Sequence, residues 1–292
     1  MVVEECRRPP ERVQILYPER LPGAVEVGEK IRHYLASRIG AVVLASLSDG
    51  RARMAVPEQD MLIVLGGDGT MLRGERLAAP YGVPVLGINL GHLAFLAEAQ
   101  RDEWPAVVDQ VLAGNYRLEE RMMLNVEHHR DHELAGVYDV LNEAVVGRGA
   151  LARPVRLRTL IDGGWLTTYV ADGLIIATPT GSTAYALSVG GPILPPELKN
   201  ILLAPIAPHL SLEHAIVLAQ GVTVEVQVRT EHQAILSADG QVDAPLLDGD
   251  WVRVRMSRYV ARFVRVQPPS YFYTRLMARM WRNPAAEKEF AL

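Results

Sequence analysis

The segment Met61-Leu-Ile-Val-Leu-Gly-Gly-Asp-Gly-Thr-Met-Leu72 joins a run of five apolar residues to a turn of three glycines and one acid. The apolar run predicts a buried strand, and the amphipathic residues after the turn predict a helix. Because glycine has no side chain, the backbone N–H groups of Gly66, Gly67 and Gly69 can approach a ligand closely. A helix N-terminus favours negative charge, so the turn suits a phosphate group.

Asp68 is the exception in this turn, because a carboxylate repels phosphate. As a general base beside an incoming phosphoryl group, or as an anchor for its metal ion, it makes chemical sense. The alternative is structural: Asp68 would N-cap the helix while Gly67 and Gly69 turn the chain. The turn alone leaves both interpretations open.

Length and composition predict a globular protein of about two domains. Of the 292 residues, 49% are hydrophobic and 22% are charged, which is ordinary for a soluble protein. The net charge of −4 favours neither nucleic acid nor an anionic membrane as a partner. No apolar run approaches the ~18 residues of a membrane span. The single cysteine, Cys6, fits a reducing compartment, and we expect a cytoplasmic protein.

The first half of the chain alternates strands with helices, which predicts a parallel sheet covered on both faces. We expect strands at 13–17, 41–45, 61–65 and 83–88, and helices at 24–37, 70–79 and 104–112. Ligands of such sheets bind at the carboxyl ends of strands, which is where Gly66 to Thr70 lies. The loop from Gly87 to Leu96 is either a second wall of the same site or only a crossover turn.

After Asn115 the pattern changes to period-two alternation, at 124–128, 155–161, 222–229 and 251–256. Asp162-Gly163-Gly164 is typical of a hairpin turn. We therefore predict a mainly antiparallel β domain of two packed sheets, with one helix after Thr178-Pro179. The expected domains are 1–115 (α/β), 116–267 (β-rich) and 268–292, a C-terminal helix packing back on the first domain.

A second informative segment runs from Ala171 to Tyr185 and places four hydroxyl residues and a glycine directly after a buried strand. Hydroxyls and amides at a helix start suit hydrogen bonding to a polar ligand, and Tyr185 can stack on a base. Helix capping is the alternative, but one residue would suffice for it, so we favour a ligand site.

Asn142 and Glu143 interrupt an apolar strand pattern. Adjacent strand residues face opposite sides, so one of the two should point inwards and need a partner, which a ligand can supply. A polar sheet edge is the alternative.

Two further patterns are not interpreted as sites. Gly147 to Ala152 matches a dinucleotide fingerprint, but an alternating strand follows it where a helix is required. His128, His129 and His132 lack metal-ligand spacing and predict a solvated hairpin tip. No residue is assigned as a protein ligand of a metal.

This chain resembles the NAD kinase family in the order and spacing of five elements, namely Gly66–Thr70, Asn142-Glu143, Asp172-Gly173, Thr180–Tyr185 and Asp239-Gly240-Gln241. The resemblance implies a Rossmann-like N-terminal α/β domain and a C-terminal β domain. It implies transfer of a phosphoryl group from ATP, or from polyphosphate, to the 2′-hydroxyl of the adenosine ribose of NAD, giving NADP. Mg²⁺ or another divalent cation would bridge the donor phosphates.

The resemblance also implies residue roles. Asp68 would be the general base that takes the 2′-hydroxyl proton, and the donor phosphates would approach the turn formed by Gly66, Gly67, Gly69 and Thr70. The residues implied in NAD binding are Asp68, Gly69, Arg73, Asn142, Glu143, Arg153, Asp172, Ala177, Thr180, Gly181, Ser182, Thr183, Ala184, Tyr185 and Gln241. Family members are homo-oligomers, so we expect a homodimer or homotetramer, with Asp172 near a subunit interface.

One departure from the family pattern and two alternative functions stay open. Ala94 stands where the family usually has glycine, which would stiffen the loop after the fourth strand. A lipid (diacylglycerol-type) kinase shares the glycine turn, but the polar residues at 180–185 favour a nucleotide. A non-catalytic sensor of NAD or NADP is the other alternative, and Asp68 argues against it because a sensor has no use for a base.

Overall fold

The computed structural model describes residues 8–91, 94–150, 153–209, 212–274 and 276. The chain divides into two compact units, Met1–Glu120 with Arg262–Leu292, and Arg121–Ala261. The domain boundaries expected at 115 and 267 stay predictions. Residues 271–274 and 276 are helical, and the rest of the predicted C-terminal helix lies outside the described residues, as does Cys6.

The first unit is an α/β structure with a parallel sheet. Its elements are β1 (Arg12–Tyr17), α1 (Ala24–Ala36), β2 (Ala41–Ser46), α2 (Gly50–Ala55), β3 (Met61–Leu65), α3 (Asp68–Ala78), β4 (Val85–Asn89), β5 (Ala99–Gln100) and α4 (Trp104–Leu112). The strands pair in parallel in the order β2-β1-β3-β4, and β5 pairs with β4. Every residue of β3 and β4 is buried, as expected of parallel strands covered on both faces.

The predicted parallel sheet is confirmed, with small differences at the ends of its elements. Helix α3 begins at Asp68, two residues before the predicted start. Helix α2 was not predicted, because its six residues bury only Ala52 and are too few to display a helical period. The two-residue strand β5 is likewise too short for any periodic pattern.

The second unit consists of antiparallel strands. They are β6 (Arg117–Arg130), β7 (Glu133–Val140), β8 (Glu143–Arg148), β9 (Val155–Ile161), β10 (Gly164–Ala171), β11 (Gly173–Ala177), β12 (Asn200–Ile206), β13 (Ile216–Ala219), β14 (Val224–Arg229), β15 (Ala234–Ala238), β16 (Val242–Leu246) and β17 (Trp251–Arg265). One sheet has the order β10-β9-β14-β17, with β6 beside β17 and β7 beside β6. The other has the order β13-β12-β11-β8-β15-β16.

One apolar core joins these two sheets. It contains Leu124, Tyr169 and Val226 from the first sheet and Leu174 and Leu236 from the second. The prediction of two packed antiparallel sheets is therefore confirmed. The predicted hairpin turn at 162–164 is confirmed as well, because the two residues between β9 and β10 have φ angles of 49° and 77°, as a type I′ turn requires.

The helix predicted after Thr178-Pro179 is much shorter than expected. Residues Gly181–Thr183 form a single 3₁₀ turn, and α5 (Tyr185–Ser188) follows it with four residues. Among the helices in the described part of the chain, none has the length and apolar character that spanning a membrane requires.

Replacement of Tyr169 by phenylalanine should stabilise the second unit. The Tyr169 side chain is fully buried, and its hydroxyl has no hydrogen-bond partner among the described residues. Removing that hydroxyl should raise the free energy of unfolding by about 1 kcal/mol, measured by urea denaturation at pH 7. Burial raises the pKa of Tyr169 to about 12. The unfolded chain therefore ionises first as pH rises above 10, and the advantage of Tyr169→Phe should grow there.

The matched control is Tyr81→Phe, because Tyr81 is exposed and its replacement should leave stability unchanged at both pH values. A loss of stability in Tyr169→Phe at pH 7 would contradict this account of the buried hydroxyl.

Candidate functional site

Asp68 is the first residue of α3 and lies directly after the carboxyl end of β3. The N-cap of α3 is Gly67, without any side-chain cap, so the interpretation of Asp68 as a helix cap is wrong. Its carboxylate instead accepts the backbone N–H groups of Phe95 at 3.0 Å and Leu96 at 2.9 Å. The loop after β4 therefore contacts the turn after β3, as expected of two neighbouring strand ends.

The glycines of this turn have two different roles. Gly66 has a φ of 145°, and a Cβ there would lie 2.5 Å from the Thr70 hydroxyl oxygen, so no other residue fits. Gly67 has an ordinary φ of −93°. A Cβ on Gly67 or Gly69 would meet no atom of the described residues within 4 Å. No side chain from the described part of the chain therefore covers the turn at these two glycines.

In the second unit, Asp239 organises the turn that carries Asn142 and Glu143. Its carboxylate accepts the N–H groups of Leu141, Asn142 and Glu143 at 3.0, 2.8 and 3.2 Å. Its own N–H donates to the Glu143 carbonyl at 3.0 Å. We did not predict this role, although the Asp239-Gly240 pair is itself a hairpin signal between two alternating segments. Asn142 precedes β8, and only Glu143 belongs to the strand.

Glu143 is a buried carboxyl group in this turn, with 7% of its surface exposed. One of its oxygens, Oε2, has no hydrogen-bond partner among the described residues. The pKa of Glu143 is raised from 4.5 to about 8, chiefly by burial and also by the charge of Asp239, while a hydrogen bond from the Tyr185 backbone acts in the opposite direction. The group is therefore largely protonated at pH 7 and can both donate and accept a hydrogen bond.

Thr178 ties the end of β11 to the same turn. Its hydroxyl donates to the Leu141 carbonyl at 2.6 Å and accepts the Gly181 N–H at 3.1 Å. Its N–H donates to the Asn142 carbonyl at 2.8 Å. A Cβ on Gly181 would lie 2.2 Å from that carbonyl oxygen, so only glycine permits this close approach.

The other hydroxyl residues of this segment also bond the chain itself. Ser182 donates to the Pro179 carbonyl at 2.6 Å and accepts the Leu194 N–H at 2.9 Å, and Thr183 donates to the Thr180 carbonyl at 3.1 Å. The N-cap residues of the 3₁₀ turn and of α5 make no side-chain cap, although the Thr178 hydroxyl does accept the N–H of Gly181, the first residue of the 3₁₀ turn. The Thr180 hydroxyl is the exception: it is buried and has no partner among the described residues.

The predicted site residues of the second unit fall into two groups. Ala177 pairs with Glu143, and both lie at the same end of the β8–β11 pair as the 178–185 segment. Asp172 lies at the other end of β11, roughly 16 Å away for five residues at about 3.3 Å each, and pairs with Arg148 at 2.9 Å.

Four other predicted residues have less specific surroundings. Arg153 is exposed and contacts His232 at 3.0 Å. Gln241 lies in the turn after β15. The Tyr185 ring is 43% exposed. In the first unit, Arg73 lies on α3 five residues after Asp68.

The prediction of a solvated hairpin tip is wrong for His128. Asp131 and His132 form the turn between β6 and β7, but His128 is buried and its Nε2 lies 2.8 Å from the Asp250 carboxylate. Arg130 bonds the same carboxylate. The described residues contain no group of three or more histidine, cysteine or acidic side chains arranged to hold a metal ion.

Comparison with known proteins gives a consistent set of matches. The ATP-NAD kinase N-terminal domain family matches residues 28–116, and the ATP-NAD kinase C-terminal domain family matches residues 141–266. The NAD kinase of Symbiobacterium thermophilum is 45% identical over 273 residues, which are 90% of this chain and 96% of that protein. The NAD kinase of Chloroflexus aurantiacus is 39% identical over 274 residues, 94% of this chain and 99% of that protein.

Two solved structures have similar folds. Yeast NADH kinase complexed with NADH has a TM-score of 0.82 at 26% identity, covering 95% of this chain and 89% of that chain. An NAD kinase from Archaeoglobus fulgidus in complex with ATP has a TM-score of 0.74 at 23% identity, covering 91% and 99%.

Replacement of Glu143 by glutamine should make stability less dependent on pH. Because the pKa of Glu143 is raised from 4.5 to about 8, its contribution to stability is complete below pH 4.5 and is lost as pH rises through 8. Glutamine stays neutral throughout. Glu143→Gln should therefore match the wild type near pH 4.5 and exceed it at pH 8.5 by on the order of a few kcal/mol, measured by urea denaturation.

The control is Glu197→Gln, which replaces an exposed glutamate and should show no such trend. Parallel pH profiles for the wild type and Glu143→Gln would contradict the raised pKa.

Proposed function

Because this chain belongs to the NAD kinase family and is a phosphotransferase, we propose that it transfers the terminal phosphoryl group of ATP to the 2′-hydroxyl of the adenosine ribose of NAD. The products are NADP and ADP. The observation that carries the proposal is the Asp68 carboxylate, fixed by two amides beside a glycine turn with an open face. Polyphosphate is the alternative donor.

Asp68 acts in this proposal as the general base. The 2′-hydroxyl oxygen attacks the terminal phosphorus as its proton passes to the Asp68 carboxylate, and the bond from that phosphorus to the ADP oxygen breaks. The N–H groups of Phe95 and Leu96 each bond a different oxygen of this carboxylate, and a carboxylate oxygen has two lone pairs. The two amides also restrict the carboxylate to one orientation, which positioning catalysis requires.

The open face at Gly67 and Gly69 supports a donor-phosphate site at the start of α3. Mg²⁺ typically takes one or two carboxylates, with phosphates and waters completing its shell, so it needs no cage of protein ligands. Asp68 is the one carboxylate in this turn, and the residues present fit a cation bound chiefly by the donor phosphates. Such a cation would neutralise charge on the phosphate oxygens.

The segment around Glu143 and Thr180 is the proposed site for the adenosine part of NAD. A protonated Glu143 and the Thr180 hydroxyl are buried polar groups that a nucleoside's amine and hydroxyl groups can satisfy. The half-exposed Tyr185 ring is available for stacking on a base. The other residues proposed to line this site are Asn142, Ala177, Gly181, Ser182, Thr183, Ala184 and Gln241.

We assign Arg73 to the dinucleotide phosphates, because a guanidinium one turn into α3 can neutralise them. Arg153 is assigned to the dinucleotide as well, where its guanidinium would neutralise phosphate. Asp172 is proposed to act near a subunit interface of a homodimer or homotetramer. Its position at the end of β11 opposite to Glu143 supports this assignment. The relatives are named NAD kinase or NADH kinase, which favours a nucleotide acceptor over diacylglycerol.

Asp68→Asn should lower turnover by about 10²–10⁴-fold, the range that general-base catalysis supplies. Asparagine has the same shape but only one acceptor oxygen, so its NH₂ group would face one of the two loop N–H donors and stability should fall by about 1–3 kcal/mol. The variant should still fold, which thermal unfolding at the assay temperature checks. The measurement is a stopped reaction with NAD, ATP and Mg²⁺, in which NADP is detected by a dehydrogenase that does not use NAD.

The matched control is Asp109→Asn, on α4 of the same unit, where the carboxylate accepts the Tyr34 hydroxyl. Wild-type turnover in Asp68→Asn would contradict the assignment of the base. Tight NAD binding by the wild type without NADP formation from either ATP or polyphosphate would favour a sensor.

Gly67→Ala should weaken donor binding without weakening the fold. The φ angle of Gly67 suits any residue, and the added methyl group would contact no atom of the described residues. That methyl group would enter the proposed phosphate space, so the KM for ATP should rise at least about tenfold, equivalent to 1.4 kcal/mol. Gly50→Ala, at the open start of α2, is the control and should not change it. An unchanged KM for ATP in Gly67→Ala would argue against a phosphate site at this turn.

A further inference from the structure

We propose that Arg265 is a positioning residue, which holds the loop whose amides orient Asp68. This inference rests on the proposed function, in which Asp68 is the base. Arg265 ends β17 and belongs to the same unit as Asp68. Arg265 lies outside the five sequence elements that resemble the NAD kinase family. Its contacts join segments that are far apart along the chain, so no local pattern predicts them.

Leu96 links Arg265 to Asp68. The Leu96 N–H donates to Asp68 Oδ1 at 2.9 Å, and Arg265 Nη1 donates to the Leu96 carbonyl at 2.9 Å. A single residue therefore receives a hydrogen bond from the guanidinium and gives one to the proposed base. If Leu96 moved, the hydrogen bond from its N–H would no longer hold the Asp68 carboxylate in the same orientation.

Arg265 is itself fixed by two buried carboxylates. Its Nε donates to Glu119 Oε1 at 3.2 Å, and its Nη1 also contacts Glu98 Oε2 at 3.3 Å. Arg265, Glu98 and Glu119 are 5%, 2% and 7% exposed. A buried charge that loses its hydrogen-bond partner is strongly destabilising, so the three side chains stay in this arrangement. The guanidinium therefore presents its remaining N–H groups in one direction.

Glu98 connects the same cluster to the backbone that leaves β17. Its Oε1 accepts the N–H groups of Val266 and Gln267 at 2.8 and 2.7 Å. The Glu98 N–H donates to the Gly87 carbonyl of β4 at 2.8 Å. The segment that follows Leu96 is thus held to β4 and to the backbone after β17, and the same Glu98 carboxylate contacts Arg265.

Arg262 provides a matched comparison on the same strand. It also bonds a glutamate of β6, Glu120, at 3.2 Å, and a loop carbonyl, that of Gly82, at 3.3 Å. Its carbonyl partner belongs to the turn before β4, whereas the partner of Arg265 belongs to the loop after β4 that bonds Asp68. The two arginines therefore differ in whether their loop partner reaches the base.

The test is a double-mutant cycle that combines Arg265→Lys with Asp68→Asn in the full-length protein. Lysine keeps the positive charge, but a single ammonium cannot reproduce the planar fork that contacts two carboxylates and a carbonyl. In the wild-type background kcat should fall about 10- to 100-fold, the scale of a misplaced catalytic group, with KM for NAD unchanged. In the Asp68→Asn background the same substitution should change the residual turnover less than about twofold, because the group it positions is already absent.

Hydrogen exchange of the peptide that spans residues 94–98 supplies a readout independent of activity. Arg265→Lys should accelerate its exchange at least about tenfold, while Arg262→Lys should change neither the exchange nor kcat. Thermal unfolding is measured for every variant, to check that each one is folded at the assay temperature.

An equal fold loss in both backgrounds, or unchanged exchange of the 94–98 peptide, would overturn the inference and leave Arg265 with a structural role only. The proposed function fails by a separate result, which is no NADP from the wild type with either ATP or polyphosphate. Full turnover by Asp68→Asn would instead remove the assignment of the base, and with it the premise of this inference.

Discussion

Backbone N–H groups at the ends of buried strands must find acceptors, and in both units a single carboxylate provides them. Asp68 accepts the amides of Phe95 and Leu96, and Asp239 accepts three consecutive amides at 141–143. Each carboxylate thereby joins segments that are far apart along the chain. The proposed catalytic and adenosine-binding groups depend on these joins, because the turns that carry them have little regular structure of their own.

Local sequence patterns predict the fold well where an element is long and buried on a defined face. The strand at Met61–Leu65 and the helix at Trp104–Leu112 have the predicted limits, because apolar runs and glycine turns delimit them. The change from mixed to period-two patterns locates the antiparallel unit. The same reasoning fails after Thr178-Pro179, because the hydroxyls there bond Leu141 and Leu194, which no local pattern reveals.

The candidate site is predictable in its residue types and only partly in its geometry. Sequence suffices to single out Asp68, Glu143 and the hydroxyl segment, because each interrupts a pattern that a simple strand or helix would continue. Sequence does not reveal how deeply each of these side chains is buried. The pKa of Glu143 near 8 and the buried contact of His128 both depend on which distant segments cover them. The Arg265 cluster is unpredictable for the same reason.

Three hydroxyls of the 178–183 turn are committed to the chain itself, at Thr178, Ser182 and Thr183. The shape of this turn is therefore set by the folded protein before any ligand binds. A nucleotide that binds there would immobilise few additional side chains, which lowers the entropic cost of association. The same hydrogen bonds limit which substitutions the turn can accept. Replacement of those three residues would act first on folding, so a change of ligand preference has to arise at uncommitted groups such as Thr180 and Glu143.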